Sequence, residues 1–320
     1  MAAKFLLPFL FSFLLSIIAI FFLLRTPFLR PNLKKRLGGL VVIVIFILFV
    51  LYDKDLVITK PIAGIITGGL LILIFGLWDD IKNLNWKWQL AFQVIIAITA
   101  ILFGVRSGYT ANPFGGTINL ENPAVYIFIY TLYFLLFINA LNWLDGIDGL
   151  SGSVTFVALA EIFFLSLLPH VNQPAAAILC ATAAGAVLAF LVFNWHPAKI
   201  IAGTSGAWFF GFLLASLSIF AGAKIATVFM VTLIPVLDLV SVIWERHHAG
   251  GSIFSGGDSR HLHHKLLKLG LGEKQIVVLV CVFGMIVGLA ALNLNAIGKM
   301  VFIAIFSAAY FILQRIKFKI

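Results

Sequence analysis

Four short stretches of this chain hold residues that could do chemistry. In Asn139–Gly152, N-A-L-N-W-L-D-G-I-D-G-L-S-G, the polar groups Asn139, Asn142, Asp145 and Asp148 recur every third residue. On a straight helix that spacing drifts by about 60° per step, so neighbours share a face and the whole set does not. Gly146, Gly149 and Gly152 let the backbone bend and gather the four groups. The plain alternative is an acidic loop at a membrane edge. Asp79-Asp80 is a pair of adjacent carboxylates, which repel and are tolerated near a cation or with one proton retained. A helix stop with Lys82 as counter-charge is its plain alternative. Phe193-Asn194-Trp195-His196-Pro197-Ala198-Lys199 runs into Gly203-Thr204-Ser205-Gly206. A glycine-flanked turn entering a helix offers free N–H groups to a phosphate, and Lys199 adds a point charge. Residues 244–274 carry Arg246, Arg260, Lys265, Lys268 and the histidines His247, His248, His261, His263 and His264. No cysteine accompanies them and the spacing is not that of a zincin helix, so phosphate recognition is favoured over zinc. Aspartates suggest Mg²⁺, with Mn²⁺ as the alternative ion, and Mg²⁺ with cations suggests a phosphorylated or nucleotide substrate.

The elements that must position these groups are membrane helices. The 320 residues are 62% hydrophobic and 11% charged, with mean hydropathy +1.12. Soluble domains carry about 25% charged residues, so the composition predicts an all-α polytopic membrane protein. Eleven apolar runs are expected to span, near 5–24, 38–52, 61–78, 88–104, 124–143, 153–168, 175–193, 206–221, 225–243, 275–293 and 299–314. The run after Lys4 lacks a small-x-small cleavage pattern and reads as a first membrane helix, not a signal peptide. One transmembrane domain over 1–320 is expected, with 244–274 a long cytoplasmic His-rich loop inside it.

Sixteen of the twenty-two lysines and arginines fall in alternate loops and the tail after 314, which places that face in the cytoplasm. The N-terminus is then outside and the C-terminus inside. The net charge of +10 is thereby a matter of topology, and no nucleic-acid partner is expected. Cys180 and Cys281 lie in apolar runs and form neither a disulfide framework nor a metal-ligand spacing. A transporter would be expected to line a path with ionisable groups at mid-membrane, yet only Glu161 lies deep in a span. The polar chemistry gathers on one face, as in an enzyme whose reactant lives in the bilayer.

Taken in order, R-L-G-G at 36–39, Asp79-Asp80, N-A-L-N-W-L-D-G-I-D-G-L, F-N-W-H-P-A-K, P-V-L-D at 235–238 and S-I-F-S-G-G-D-S-R-H-L-H-H resemble the polyprenyl-phosphate N-acetylhexosamine-1-phosphate transferases. The last motif is closer to the branch using UDP-N-acetylglucosamine than to the muramoyl-pentapeptide branch. The resemblance implies transfer of a sugar-1-phosphate from a UDP-N-acetylhexosamine to a polyprenyl phosphate, with release of UMP and membrane lipids as surroundings. It admits a homodimer. By resemblance, Asp79 and Asp80 bind or deprotonate the lipid phosphate, and Asn139, Asn142, Asp145 and Asp148 organise the nucleotide and metal region. Lys199, His261, His263 and His264 then contact the uridine diphosphate, with His261 among the catalytic groups; Gly203, Thr204 and Arg260 are further candidates for substrate binding.

One position departs from the pattern. Where the resembled family has G-D-T-G-S or G-D-S-G-S, this chain has Gly203-Thr204-Ser205-Gly206-Ala207. The missing aspartate is that family's principal Mg²⁺ ligand, and a neutral hydroxyl is a poor substitute. Three readings stay open: an engineered inactive form, a natural member that uses Asp80, Asp145 or Asp148 instead, and a binder without turnover.

Overall fold

A computed structural model describes residues 3–112, 115–222, 225–250 and 260–315. The helices are α1 (Ala3–Arg25), α2 (Pro31–Arg36), α3 (Gly38–Tyr52), α4 (Lys60–Lys82), α5 (Trp86–Leu102), α6 (Pro123–Leu144) and α7 (Leu150–Leu167). After them come α8 (Pro174–Asn194), α9 (Gly203–Phe220), α10 (Ile225–Val231), α11 (Leu233–His248), α12 (Leu262–Lys268), α13 (Glu273–Asn293) and α14 (Ala296–Arg315). Apolar runs of this length form helices because only a helix satisfies every backbone group within its own segment. Their ends follow local chemistry. Asn85 caps α5 by accepting from the N–H groups of Lys87 and Trp88, and Asn122 caps α6 with Pro123 at its first position. At the other end of α4, Asn83 takes the left-handed conformation, φ 49°, that closes the helix.

Among the described residues, eight helices are long and apolar enough to cross a bilayer, or nine if the bent pair α10–α11 is one span. The sequence led to an expectation of eleven. The shortfall lies in α3 and α5, apolar helices of 15 and 17 residues, which at about 1.5 Å per residue fall short of a 30 Å core. The α10–α11 pair bends by 77° at Thr232. A short antiparallel hairpin, β1 (Tyr109–Ala111) with β2 (Thr117–Asn119), joins α5 to α6 outside the expected spans. The expected loop at 244–274 is partly helical: α11 continues to His248, and α12 occupies 262–268. The part of the last motif at 252–259 lies outside the described residues.

Helices α8 and α9 form the centre, and α1 and α14 the periphery. Trp208, Phe209, Phe210 and Phe212 of α9 are fully buried. Small residues let neighbours approach α9 closely, as in other membrane helix pairs. A Cβ on Gly39 of α3 would collide with the Gly206 backbone, and one on Gly76 of α4 would sit 2.5 Å from Ser205 Cα. These contacts press the N-terminal turn of α9 against the last turns of α4. Glu161, the deep acid of α7, packs on Gly288 of α13, where an added Cβ would meet its carboxylate.

Candidate active site

The first turn of α9 is bonded to the aspartate pair that ends α4. Thr204 Oγ1 donates to Asp79 Oδ2 at 2.6 Å, and Thr204 N donates to Asp80 Oδ1 at 2.7 Å. Ser205 adds its N–H and hydroxyl to Asp80 Oδ2, at 3.2 and 2.9 Å. Asp79 Oδ1 accepts from Leu84 N and Gln89 Nε2, both at 2.9 Å. Both carboxylates are buried, and these donors stand where a cation or a retained proton was expected. Gly203 has φ +68°, and a Cβ there would meet Arg36 O and Asp80 Oδ1, so the turn depends on glycine.

The bend after α6 carries the next two carboxylates. Asp145 is the C-cap of α6, and Ser151 Oγ donates to its Oδ1 at 2.5 Å. Burial pushes its carboxyl up to about 7; the Ser151 bond opposes this, and the charges of Asp80 and Asp148 add to it. Gly149, at φ 81°, starts α7 and donates its N–H to Asn194 Oδ1 at 3.0 Å. Asp148 Oδ2 accepts from Ala198 N at 2.9 Å and lies 3.0 Å from His196 Nδ1. Glu273 Oε2, at the start of α13, accepts from Asp148 N at 3.0 Å and lies 3.3 Å from the same imidazole nitrogen. The aspartate bend, the F-N-W-H-P-A-K turn and α13 are thus clasped together.

On the other side, His261 Nδ1 bonds Asp238 Oδ2 of α11 at 2.8 Å. Trp143 of α6 meets the His261 ring edge-on at 5.6 Å, and the Arg246 guanidinium lies 4.8 Å over Trp143. His263 stacks on His261 with centroids 5.5 Å apart. It is buried, and neither ring nitrogen has a hydrogen-bond partner. Burial, foremost, with a smaller push from His264, lowers its pKa to about 4, so the ring is neutral.

The other expected residues are placed as follows. Asn139 is committed to α5, exchanging hydrogen bonds with Gln93 at 2.8 and 3.3 Å, which makes it a helix tie. Asn142 is half-buried in the last turn of α6. Lys199 is exposed at the end of its turn, and Arg260, just before α12, and His264, within it, are half-buried. Sequence reasoning passed over Gln89, Ser151, Ser205, Asp238 and Glu273 as site residues. Asp238 had a signal in P-V-L-D, as did His196 in F-N-W-H-P-A-K; Gln89 and Glu273 had none.

With the resembled family's principal metal ligand replaced by Thr204, the sequence leaves Asp80, Asp145 and Asp148 as the expected ligands of a divalent metal. The donor chemistry around Thr204 does not fit it. A hydroxyl that donates to Asp79 stands where a carboxylate ligand is required, and backbone N–H groups occupy Asp80. Among the described residues, three ligand atoms come within 4.8 Å of one another only at Asp148, His196 and Glu273. Those three are already joined by hydrogen bonds.

These features define a multi-pass membrane protein with a carboxylate- and histidine-rich site built at the ends of its helices. The sequence model described as "Glycosyl transferase family 4" matches residues 62–222, about half of the chain, and the chain belongs to that family. It is 30% identical over 262 residues to the decaprenyl-phosphate N-acetylglucosaminephosphotransferase of Mycobacterium tuberculosis, covering 74% of this chain and 65% of the relative. It is 27% identical over 273 residues to a probable undecaprenyl-phosphate N-acetylglucosaminyl 1-phosphate transferase of Bacillus subtilis, covering 83% and 75%. A third relative is the undecaprenyl-phosphate alpha-N-acetylglucosaminyl 1-phosphate transferase of Salmonella typhi, 27% identical over 305 residues, covering 88% and 81%. The chain therefore spans just under two thirds of the length of its mycobacterial relative.

Proposed function

We propose that the chain transfers an N-acetylhexosamine-1-phosphate, most favourably N-acetylglucosamine-1-phosphate, from its UDP-sugar to undecaprenyl or another polyprenyl phosphate, beginning the assembly of a cell-wall or surface glycan. The names of the relatives support the acceptor and the sugar. The observation that carries the reading is the joining of three motifs far apart in sequence: the start of α9 bonds Asp79-Asp80, and the F-N-W-H-P-A-K turn bonds Asp148. In this reaction an acceptor-phosphate oxygen bonds to the β-phosphorus of the UDP-sugar. The bond from that phosphorus to the bridging oxygen breaks, and UMP leaves with the electron pair. In-line positioning and charge stabilisation supply most of the catalysis in such transfers.

The chain's own residues serve those needs. Lys199, Arg260 and His264 offer donors to the diphosphate, and the Asp145–Asp148 bend holds the nucleoside end. The lysine and arginine distribution supports a site on the cytoplasmic face of the plasma membrane, with the N-terminus outside. Membranes containing the protein, given labelled UDP-N-acetylglucosamine and polyprenyl phosphate, should yield a lipid-linked sugar phosphate and UMP; binding without product would reject turnover.

Thr204 favours a second reading, a binder of the nucleotide sugar or lipid carrier without turnover. It predicts UDP-sugar binding insensitive to Mg²⁺, and detectable turnover would reject it.

A further inference from the structure

Asp238 lies on α11, is 2% exposed, and its carboxylate bonds the histidine segment and α14. Its Oδ2 meets His261 Nδ1 at 2.8 Å. Its Oδ1 accepts from Leu262 N at 2.7 Å and, more weakly, from the Tyr310 hydroxyl of α14 at 3.4 Å. Gln314 donates to Tyr310 at 3.0 Å, and Lys265 links Gln314 to Glu245 of α11. A buried carboxylate is stable only when donors compensate its desolvation, and these bonds do so. The His261 ring is held on its faces and edge as well, by parallel His263 and perpendicular Trp143.

We propose that Asp238 is a positioning residue for His261. It fixes the ring's orientation and proton and ties both to the last helix. An ionised carboxylate can only accept, so the shared proton sits on Nδ1, and Nε2, an acceptor in the neutral ring and a donor only in the imidazolium, is the nitrogen left for the substrate. Paired carboxylates orient metal-bound histidines by the same logic, where losing the partner costs about 10- to 100-fold. What His261 does with Nε2 rests on the transferase reading; its orientation by Asp238 does not.

The test uses the full chain in nanodiscs with ¹⁵N-labelled histidine, the His261 signals being assigned by their loss in His261→Asn. Neutral His261 in the wild-type protein should carry its proton on Nδ1; a proton on Nε2 would overturn the proposal without any Asp238 variant. In Asp238→Asn that preference should be lost. Its kcat should fall about 10- to 100-fold while KM for UDP-N-acetylglucosamine stays within about twofold, and Asp238→Glu should recover part of the rate. A folded Asp238→Asn with unchanged tautomer and kcat would overturn it. If the wild-type protein makes no lipid-linked product but Asp238→Asn still changes the His261 tautomer, the positioning stands and the transferase reading fails.

Discussion

Thr204 Oγ1 and Asp79 Oδ2 lie 2.6 Å apart, joining the first turn of α9 to the last turns of α4. With the bonds to Asp80, this makes the aspartate pair an anchor for the start of a central helix. Removing the hydroxyl as Thr204→Val leaves a buried carboxylate oxygen without a donor. That change should cost about 1–3 kcal/mol, read as a lower unfolding midpoint in detergent. Thr204→Asp puts three carboxylates together, so the variant should melt below the wild type in EDTA. Mg²⁺ should raise the melting temperature of this variant and leave that of the wild type unchanged. An equal Mg²⁺ shift in both would show that the wild-type donors do hold the ion.

Gly39 and Gly206 set how closely α3 approaches that same turn. Gly39→Ala drives a methyl group into the Gly206 backbone, which cannot rotate away. A loss of about 1–3 kcal/mol is expected, with reduced transfer activity because the Thr204 turn shifts. Gly108→Ala, at a position with open space around it, is the control and should be nearly silent.

His263 gives the fold a defined acid sensitivity. Its folded pKa of about 4 lies below the ordinary 6.5, so the unfolded chain takes up a proton that the folded chain refuses. Stability from this ring is complete above pH 6.5 and is lost as pH falls toward 4, by on the order of 3 kcal/mol. Unfolding of the wild type and His263→Gln at pH 7 and pH 4.5 measures it: the wild type should lose more on acidification. Equal losses would place the acid sensitivity elsewhere.

Glu161 tests whether a deep charge signals transport. Its side chain packs on Gly288 and leaves Oε2 without a partner. Glu161→Gln should keep sugar-phosphate transfer within about twofold and leave stability equal or higher, since an unpaired buried acid gives way to a neutral amide. Loss of transfer in this variant would give the residue a role in the site.

Much of the architecture was legible because membrane helices write themselves as long apolar runs. The limits of α4, α6 and α13 fall within a few residues of the expected spans. The histidine segment was harder. Its sequence is polar enough for a loop, yet Asp238 bonds Leu262 N and orders α12, a partnership 24 residues apart that no local pattern announces. Asp79-Asp80 stood out in the sequence as an acidic pair, but its donors did not. Thr204 stood out as a missing acid, and only the packing of α9 on α4 turns it into a hydrogen-bond donor. Asn139 read from its spacing as a substrate contact, and only the packing of α6 on α5 shows its amide tied to Gln93.

If this site moves a sugar-1-phosphate onto a membrane lipid, both products must appear together. The most direct measurement reconstitutes the purified chain with undecaprenyl phosphate and UDP-N-acetylglucosamine, then follows UMP release and the mass of the extracted lipid together. Equimolar UMP and undecaprenyl-diphospho-N-acetylglucosamine are expected, both abolished by Asp145→Asn. Saturable UDP-N-acetylglucosamine binding with neither product would contradict the transfer.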